Sequence, residues 1–325
     1  MTEPSDPTTP ASGGDRISVV IVAYNNADTI QHSVRAAQAI ATCTEIVVVD
    51  NGSDNAAHAA EAAGAVALRR PDNPGFGTSQ NLGVRHTDCP FLLLLNPDAD
   101  PDPEGIARGV AVLEAQSDVA AVQGVITSRR TGQPERSMGP DLNWRHLWGR
   151  ALGLRRLLST RAGQRLARLA GVGDTVDRIP SRATDVETLA ATALLVRRAA
   201  FEEVGGFDES YFLYGEDLDL CRRLRRASWH LIGLPVPWAT HDDGSTANSE
   251  YDRELSWWEG TMRYAAQWWS RPALSAAVIA CTPTAIRLIL RQPRRWKEPP
   301  RLLIGEPMRV RLARTSAWPV AREHN

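Results

Sequence analysis

Phe91-Leu-Leu-Leu-Leu95, running into Asn96-Pro-Asp-Ala-Asp100, decides how the rest of this chain is read. Five consecutive apolar residues fit a strand buried on both faces, as in a parallel sheet. Such a strand hands the chain to a loop at its carboxyl edge, where open α/β sheets bind ligands. This loop presents Asp98 and Asp100, and if it stays extended the period of two puts both on one face. Hard oxygen ligands on one face suit Mg²⁺ or Mn²⁺, which takes one or two carboxylates plus phosphate oxygens. The plainer alternative is a good Asn-Pro-Asp turn with solvated acids.

Outward from this stretch, the first half alternates in type. Strand-like runs at 17–23, 45–50, 65–69, 91–95 and 120–126 are separated by helix-like segments at 27–41, 55–63, 78–86 and 103–115. That βαβα rhythm predicts a doubly wound α/β fold with a parallel sheet. The chain of 325 residues, 43% hydrophobic and 23% charged, has the composition of a soluble globular protein. Four scattered cysteines without a Cys-x-x-Cys pair argue against zinc sites and disulfides. Residues 1–15 are polar and read as a disordered tail.

The rhythm breaks at 142–173, where seven arginines and no acid lie among leucines, with Trp144 and Trp148 at the start. This insertion reads either as a basic amphipathic segment for an anionic surface or a phosphorylated acceptor, or as a solvated helix. Beyond 246, Trp257, Trp258, Trp268 and Trp269 precede the apolar run 273–290, which Pro283 and Arg287 interrupt, against a spanning helix. From Arg291 onward nine Lys or Arg face three acids. The region 247–325 therefore reads as helical, either resting at a membrane surface or packed on the main domain.

Further segments fall where a nucleotide-diphosphate site needs them. Tyr24-Asn25 closes the first strand and Asp50-Asn-Gly-Ser-Asp54 the second. A carboxylate there can accept from a base or a ribose hydroxyl, although Asn-Gly also makes turns. Asn73-Pro-Gly-Phe-Gly77 precedes a helix, where backbone can approach phosphate. It is not a dinucleotide fingerprint, because the third glycine is missing and the first strand–helix turn has none. Gly205-Gly-Phe-Asp208 leads to Glu216-Asp217, where Asp217 opens a helix whose N-terminus favours its charged form. Asp219, about 200° further round that helix, reads as structural. His241, in a Gly- and Asp-rich loop after a strand, is a candidate metal ligand.

In this order the motifs resemble the family 2 glycosyltransferases, inverting enzymes of the GT-A fold. The resemblance rests on Val19-Val-Ile-Val-Ala-Tyr-Asn25, Val49-Asp-Asn-Gly-Ser53, Asn73 to Gly77, Asn96 to Asp100, Leu194-Leu-Val-Arg-Arg198, Gly205 to Asp208, Glu216-Asp217 and His241. It covers residues 17 to 246, about 70% of the chain. It implies a GT-A glycosyltransferase domain over 16–246, a Rossmann-like, mostly parallel sheet with flanking helices, carrying the insertion and followed by a C-terminal helical extension.

The Asn-Pro-Asp and Gly-Gly-Phe-Asp forms are most similar to the bacterial rhamnosyltransferase branch. That likeness implies a nucleotide-sugar donor, dTDP-L-rhamnose, contacted by Tyr24, Asp50, Asn51, Gly75, Gly77, Asn81 and Asp98. It implies Mg²⁺ or Mn²⁺ on Asp100 and His241, general base catalysis by Asp217, and acceptor contacts from Gly206, Phe207, Asp208 and Glu216. The acceptor expected is a polyprenyl-diphosphate-linked saccharide in cell-wall or polysaccharide synthesis. The expected location is cytoplasmic, peripheral at the inner face of the plasma membrane, with no nucleic-acid partner. Other nucleotide sugars with a soluble acceptor, or a sugar nucleotidyltransferase of similar fold, are the competing readings. Two departures stand out: Ala191 replaces a common glycine, and Gln80 a common arginine.

Overall fold

The computed structural model describes residues 17–52, 55–151, 180–241, 250–295 and 297–300. The expected N-terminal tail, most of the basic insertion, the loop after His241 and the chain beyond 300 lie outside the described residues.

Strands β1 (Ile17–Ala23), β2 (Cys43–Asp50), β3 (Val66–Arg69) and β4 (Phe91–Leu95) alternate with helices α1 (Ala27–Gln38), α2 (Ala56–Ala62) and α3 (Phe76–Val84). Then come β5 (Ala99–Pro101), α4 (Pro103–Ala115), β6 (Val119–Ser128), β7 (Met138–Gly139) and α5 (Trp144–Ala151). The remaining elements are β8 (Thr184–Asp185), β9 (Thr188–Leu189), β10 (Ala193–Arg197), α6 (Arg198–Glu203), α7 (Glu216–Arg226), β11 (His230–His241), α8 (Glu250–Trp268) and α9 (Arg271–Arg291).

The main sheet runs β3-β2-β1-β4-β10-β6-β11-β5, with β8 beside β11. Its first four strands are parallel, β10 is antiparallel between β4 and β6, and β11 is parallel to β6. The sheet is thus mixed where the βαβα rhythm alone predicts a parallel one. The chain leaves after β6 and returns 65 residues later to insert β10 into the gap. β1 and β4 are buried along their whole length, as a strand covered on both faces requires. One face gathers Val19, Ile21, Leu93 and Leu95 under Ile30, Val34, Ile106 and Leu113 of α1 and α4. The other packs Val20, Leu92, Leu94 and Leu194 against Val84, Phe201, Leu220 and Leu224 of α3, α6 and α7.

Local signals start the helices where they should. Asp102 accepts from the Gly105 amide at 2.7 Å and Pro103 opens α4, a capped start with proline at the first position. In α3, a Cβ added at Gly83 would meet Val20 at 2.2 Å, so glycine sets how closely α3 lies on β1. α8 and α9 form a separate helical layer with α5 around Leu147, Trp258, Met262, Ala277 and Cys281. Trp258 is fully buried there, and Trp268 Nε1 donates to Asp219 at 2.8 Å. Between membrane contact and packing, these two tryptophans pack.

Candidate functional site

Strand directions place the chemistry. Because β1, β2, β4, β6 and β11 all point the same way, Tyr24, Asp50, Asn96, Ser128 and His241 stand at one edge of the sheet. Antiparallel β10 begins at that edge, and the Asn96 amide donates to the Thr192 carbonyl at 2.8 Å. Residues spread over more than 200 positions of sequence thus share one rim.

β5 pairs with the end of β11, His241 opposite Ala99 and Thr240 opposite Asp100. His241 is buried and has a carboxylate at each ring nitrogen: Glu135 Oε2 lies 2.8 Å from Nδ1, and Asp98 Oδ1 lies 3.3 Å from Nε2. Burial alone would lower the imidazole's pKa, but the Asp98 and then the Glu135 carboxylates more than reverse it, lifting it to about 9. The two carboxylates thus favour the imidazolium form of His241. Asp100 has different partners, His32 Nε2 at 2.9 Å and the Arg129 guanidinium on the same Oδ2. The Arg129 amide in turn donates to the His241 carbonyl at 2.9 Å.

Two expectations change. Only Ala99–Pro101 is extended and Asp98 lies in the turn before it, so alternation does not place the pair on one face. The imidazole of His241 faces Asp98, while Asp100 is held by His32 and Arg129. Among the described residues no group of three or more His, Cys, Asp or Glu side chains is poised around a cation position. The donor types suit a hard divalent ion: an imidazole lies on the Asp98 carboxylate, and, two residues on, Asp100 Oδ1 is buried without a partner. Holding such an ion would require His241 to give up a proton and Arg129 to swing off Asp100.

At the donor end, Asp50 and Asn51 are both buried. Asp50 Oδ2 accepts from the Ala57 amide at 3.0 Å, capping α2, and Asn51 Oδ1 accepts from Ser79 Oγ at 2.6 Å. Tyr24 is partly exposed at the end of β1. The glycines expected to admit phosphate do something else. A Cβ at Gly75 would meet Phe212 O at 2.5 Å, and one at Gly77 would meet Phe207 Cβ at 2.9 Å. The space beside them is filled by the chain's own 207–212 loop, so they are packing glycines.

Asn81 likewise spends its amide on that loop, through Phe207 O and Phe207 N, both at 2.9 Å, and Glu209 Oε1 at 3.1 Å. Phe207 was expected among the acceptor contacts, but its ring is buried edge-on between Phe76 and Phe201. Gly206 has φ +70 and sits against Asn81 Oδ1. Asp208 accepts from the Ser210 amide at 2.9 Å and from Gln267 at 3.3 Å. These residues shape the rim of the site from behind. Asn81, Gly206 and Phe207 also line a cleft of about 530 Å³, together with Arg85, Asp88, Glu202 and Glu209, which none of the rim carboxylates reaches.

α7 begins after Gly215, whose φ of +88 suits glycine, and delivers Glu216 and Asp217. Asp217 is half-buried; its Oδ1 accepts from the Leu218 amide at 2.8 Å, and the Ala191 amide also faces it. Ala191 adjoins Thr192, which the Asn96 amide holds, so Asp217 is tied to the loop bearing Asp98. Burial raises the Asp217 carboxyl above its ordinary range despite those amides. The helix N-terminus favours the charged form, and burial acts against it. Glu216 is buried, its Oε2 has no partner, and burial with the Asp217 charge pushes it up to about 8. Asp219 is fully buried and accepts from Arg223 at 2.7 Å, Trp268 at 2.8 Å and Gln267 at 3.0 Å.

His32, Arg129 and Glu135 were not anticipated. Arg129 follows the end of β6 and could have been found by the same strand-end rule that singled out Asp50. His32 enters from α1, and Glu135 from a return of the chain that bridges Thr127 to Pro134. Neither carries a local signal.

Comparison with known proteins bears on the family and the fold. The Glycosyl transferase family 2 profile matches residues 18–205, more than half of the chain. An N-acetylglucosaminyl-diphospho-decaprenol L-rhamnosyltransferase of Mycobacterium tuberculosis is 35% identical over 104 residues, 27% of this chain and 34% of that protein. Rhamnosyltransferase WbbL of Escherichia coli is 38% identical over 85 residues, 26% and 32% of the two chains. These alignments span about a third of each relative. The low-salt glycan biosynthesis hexosyltransferase Agl10 of Haloferax volcanii is 23% identical over 70% of this chain and 67% of its own. Among solved structures, mannosyltransferase PcManGT from Pyrobaculum calidifontis, in complex with GDP-Man and Mn²⁺, superposes with a TM-score of 0.53. That match has 16% identity and covers 96% of this chain and 89% of the other. The fold is GT-A, and the chain belongs to glycosyltransferase family 2.

Proposed function

We propose that this enzyme is a metal-dependent inverting transferase that moves L-rhamnose from dTDP-L-rhamnose to a hydroxyl of a polyprenyl-diphosphate-linked saccharide. The work is assigned to cell-wall or polysaccharide synthesis at the cytoplasmic face of the plasma membrane. One observation carries the reading: a half-buried carboxyl of raised pKa, Asp217, is tied through Ala191 and Thr192 to the loop that bears Asp98 and Asp100. The likeness to two rhamnosyltransferases supports the choice of sugar, and the one from M. tuberculosis supports the choice of acceptor.

In the proposed reaction Asp217 takes the proton of an acceptor hydroxyl as its oxygen attacks the anomeric carbon. The bond to the diphosphate oxygen breaks, and dTDP leaves with the electron pair. A positioned general base contributes about 10²–10⁴-fold. Asp98, Asp100 and His241 would hold Mg²⁺ or Mn²⁺, which when bound supplies Lewis-acid stabilisation of the leaving diphosphate. Asp50 and Tyr24, at the ends of adjacent strands, are assigned to the nucleoside. A single displacement inverts configuration, so a β-linked donor gives an α-linked product.

A second reading keeps the chemistry and changes the donor to a UDP- or GDP-linked hexose. The longer alignment with the hexosyltransferase Agl10 and the GDP-Man in PcManGT favour it. Nucleotide release from a panel of dTDP-, UDP- and GDP-sugars with Mg²⁺, alone and with a membrane extract as acceptor, tests both. The rhamnose reading expects dTDP-L-rhamnose to turn over fastest and to label lipid. Faster turnover of a UDP- or GDP-sugar would replace it with the second reading.

A further inference from the structure

α9 has two unlike faces. Leu274, Ala277, Cys281, Ala285 and Leu288 point into the helical layer and are buried. On the opposite side Ile279, Ile286 and Leu290 are 59%, 54% and 75% exposed, with exposed Pro283 between them. Their spacing of four, three and four residues makes one stripe along the helix. Single exposed apolar residues need no explanation, but an aligned row does.

The chain beside the stripe carries an excess of positive charge. From Arg271 to Pro300 the chain has six basic residues, Arg271, Arg287, Arg291, Arg294, Arg295 and Lys297, and one acid, Glu298. The acids of α8 nearest to them, Glu254 and Asp252, are turned onto Arg287, Arg291 and Arg295. Arg271, Arg294 and Lys297 remain exposed. The layer also receives α5, which opens the arginine-rich insertion, through buried Leu147. α5 thus packs on the same layer as α9, more than a hundred residues away in sequence.

α9 is long and apolar enough to cross a membrane, yet 39% of its most apolar stretch is buried in the protein. A helix with one face in a protein core cannot be wrapped by lipid. Pro283 also has no N–H to give the Ile279 carbonyl, a cost that grows in hydrocarbon and is small at a hydrated interface. We propose that α9 lies in the plane of an anionic bilayer surface, with Ile279, Pro283, Ile286 and Leu290 inserted and the flanking arginines among the headgroups. α8 connects this surface to the site. Gly260 packs on the Tyr214 backbone and Trp268 holds Asp219, so docking presents the helix that bears Asp217 to a lipid-borne acceptor. The inference complements the lipid-linked acceptor proposed above, but its test needs no catalysis, so each can fail alone.

The full chain is sedimented with vesicles of phosphatidylcholine alone and of phosphatidylcholine mixed with phosphatidylglycerol. The wild type is expected to pellet with the mixed vesicles and to be released by added salt. The Ile279→Glu/Ile286→Glu/Leu290→Glu variant, checked for an unchanged melting temperature, should bind at least about tenfold more weakly. The single change Leu290→Ser gives a milder loss without introducing charge. A wild type that stays in the supernatant, or a triple variant that binds as tightly, overturns the proposal. So does a dimer seen by light scattering that the triple variant splits while vesicles bind neither protein, which would make the occupant a second copy.

Discussion

Asn81 and Phe207 grip each other as a side-chain amide on a peptide group, Nδ2 to O and N to Oδ1, both at 2.9 Å, across 126 residues of chain. The contact fastens α3, which follows the glycine loop, to the loop that leads into Asp217. Asn81→Ala leaves two buried peptide groups of Phe207 without partners, a loss of about 1–3 kcal/mol. Thermal or urea unfolding should show that loss, while donor affinity measured by calorimetry stays within about twofold. Unchanged stability with a large loss of donor affinity would return Asn81 to the donor contacts.

Raised by burial, the Asp217 carboxyl is protonated over a range in which an ordinary aspartate is already charged. A base must be charged to act, so kcat/KM should fall on the acid side, with a limb above the usual carboxylate range and a slope of about tenfold per pH unit. Asp217→Asn should abolish transfer and leave donor binding intact. A rate independent of pH down to ordinary carboxylate values, or near-normal turnover by the variant, would remove Asp217 from the role.

Excess EDTA should stop transfer, and Mg²⁺ or Mn²⁺ should restore it. Asp100→Ala should weaken cation binding in direct titration, and nucleotide affinity with it, because Asp100 Oδ1 is buried and unpartnered. Breaking the competing pair through Arg129→Ala should tighten the cation instead, since the guanidinium occupies Oδ2. Full activity in EDTA would show that the Asp98–His241 and Asp100–Arg129 pairs are a resting structure with no cation to receive.

How much of this was legible in the chain depends on the range of the forces involved. The Phe91–Leu95 run declared its burial through local composition, and the strand-end rule placed Asp50, Asp98 and His241 on one rim. What could not be read were choices made by the partner. Gly75 and Gly77 look like phosphate glycines until Phe212 and Phe207 are seen filling the space beside them. Phe207 reads as a loop aromatic, yet it is core because Phe76 and Phe201 arrive from distant segments. His241 reads as a candidate ligand, but its protonation is set by Asp98 and then by Glu135, and nothing local marks Glu135. The antiparallel entry of β10 was invisible for the same reason: no local property of Ala193–Arg197 says which way it enters.

Gln80 sits fully buried in α3 with neither amide atom bonded. Such a group costs about 1–3 kcal/mol for each unmet atom, and methionine has nearly its shape without that need. Gln80→Met should raise the melting temperature. An unchanged or lower value would mean that an ordered water or a bound molecule satisfies the amide, and a parallel loss of donor affinity would identify which.

Glu216 offers a test in which pH sets the sign. Its carboxyl is pushed from an ordinary 4.5 up to about 8 in the folded enzyme, by burial and then by Asp217. Between those values the folded state holds a proton that the unfolded state has released, so stability falls as pH rises. The group's contribution is fully present below pH 4.5 and lost as pH climbs through about 8. Glu216→Gln copies the protonated form at every pH and leaves Asp217 in place. Its melting temperature should match the wild type's near the lower value and exceed it by a margin that widens towards the upper one. A margin that stays constant with pH would show that Glu216 is ionised in the fold, with a cation or a bound water at Oε2.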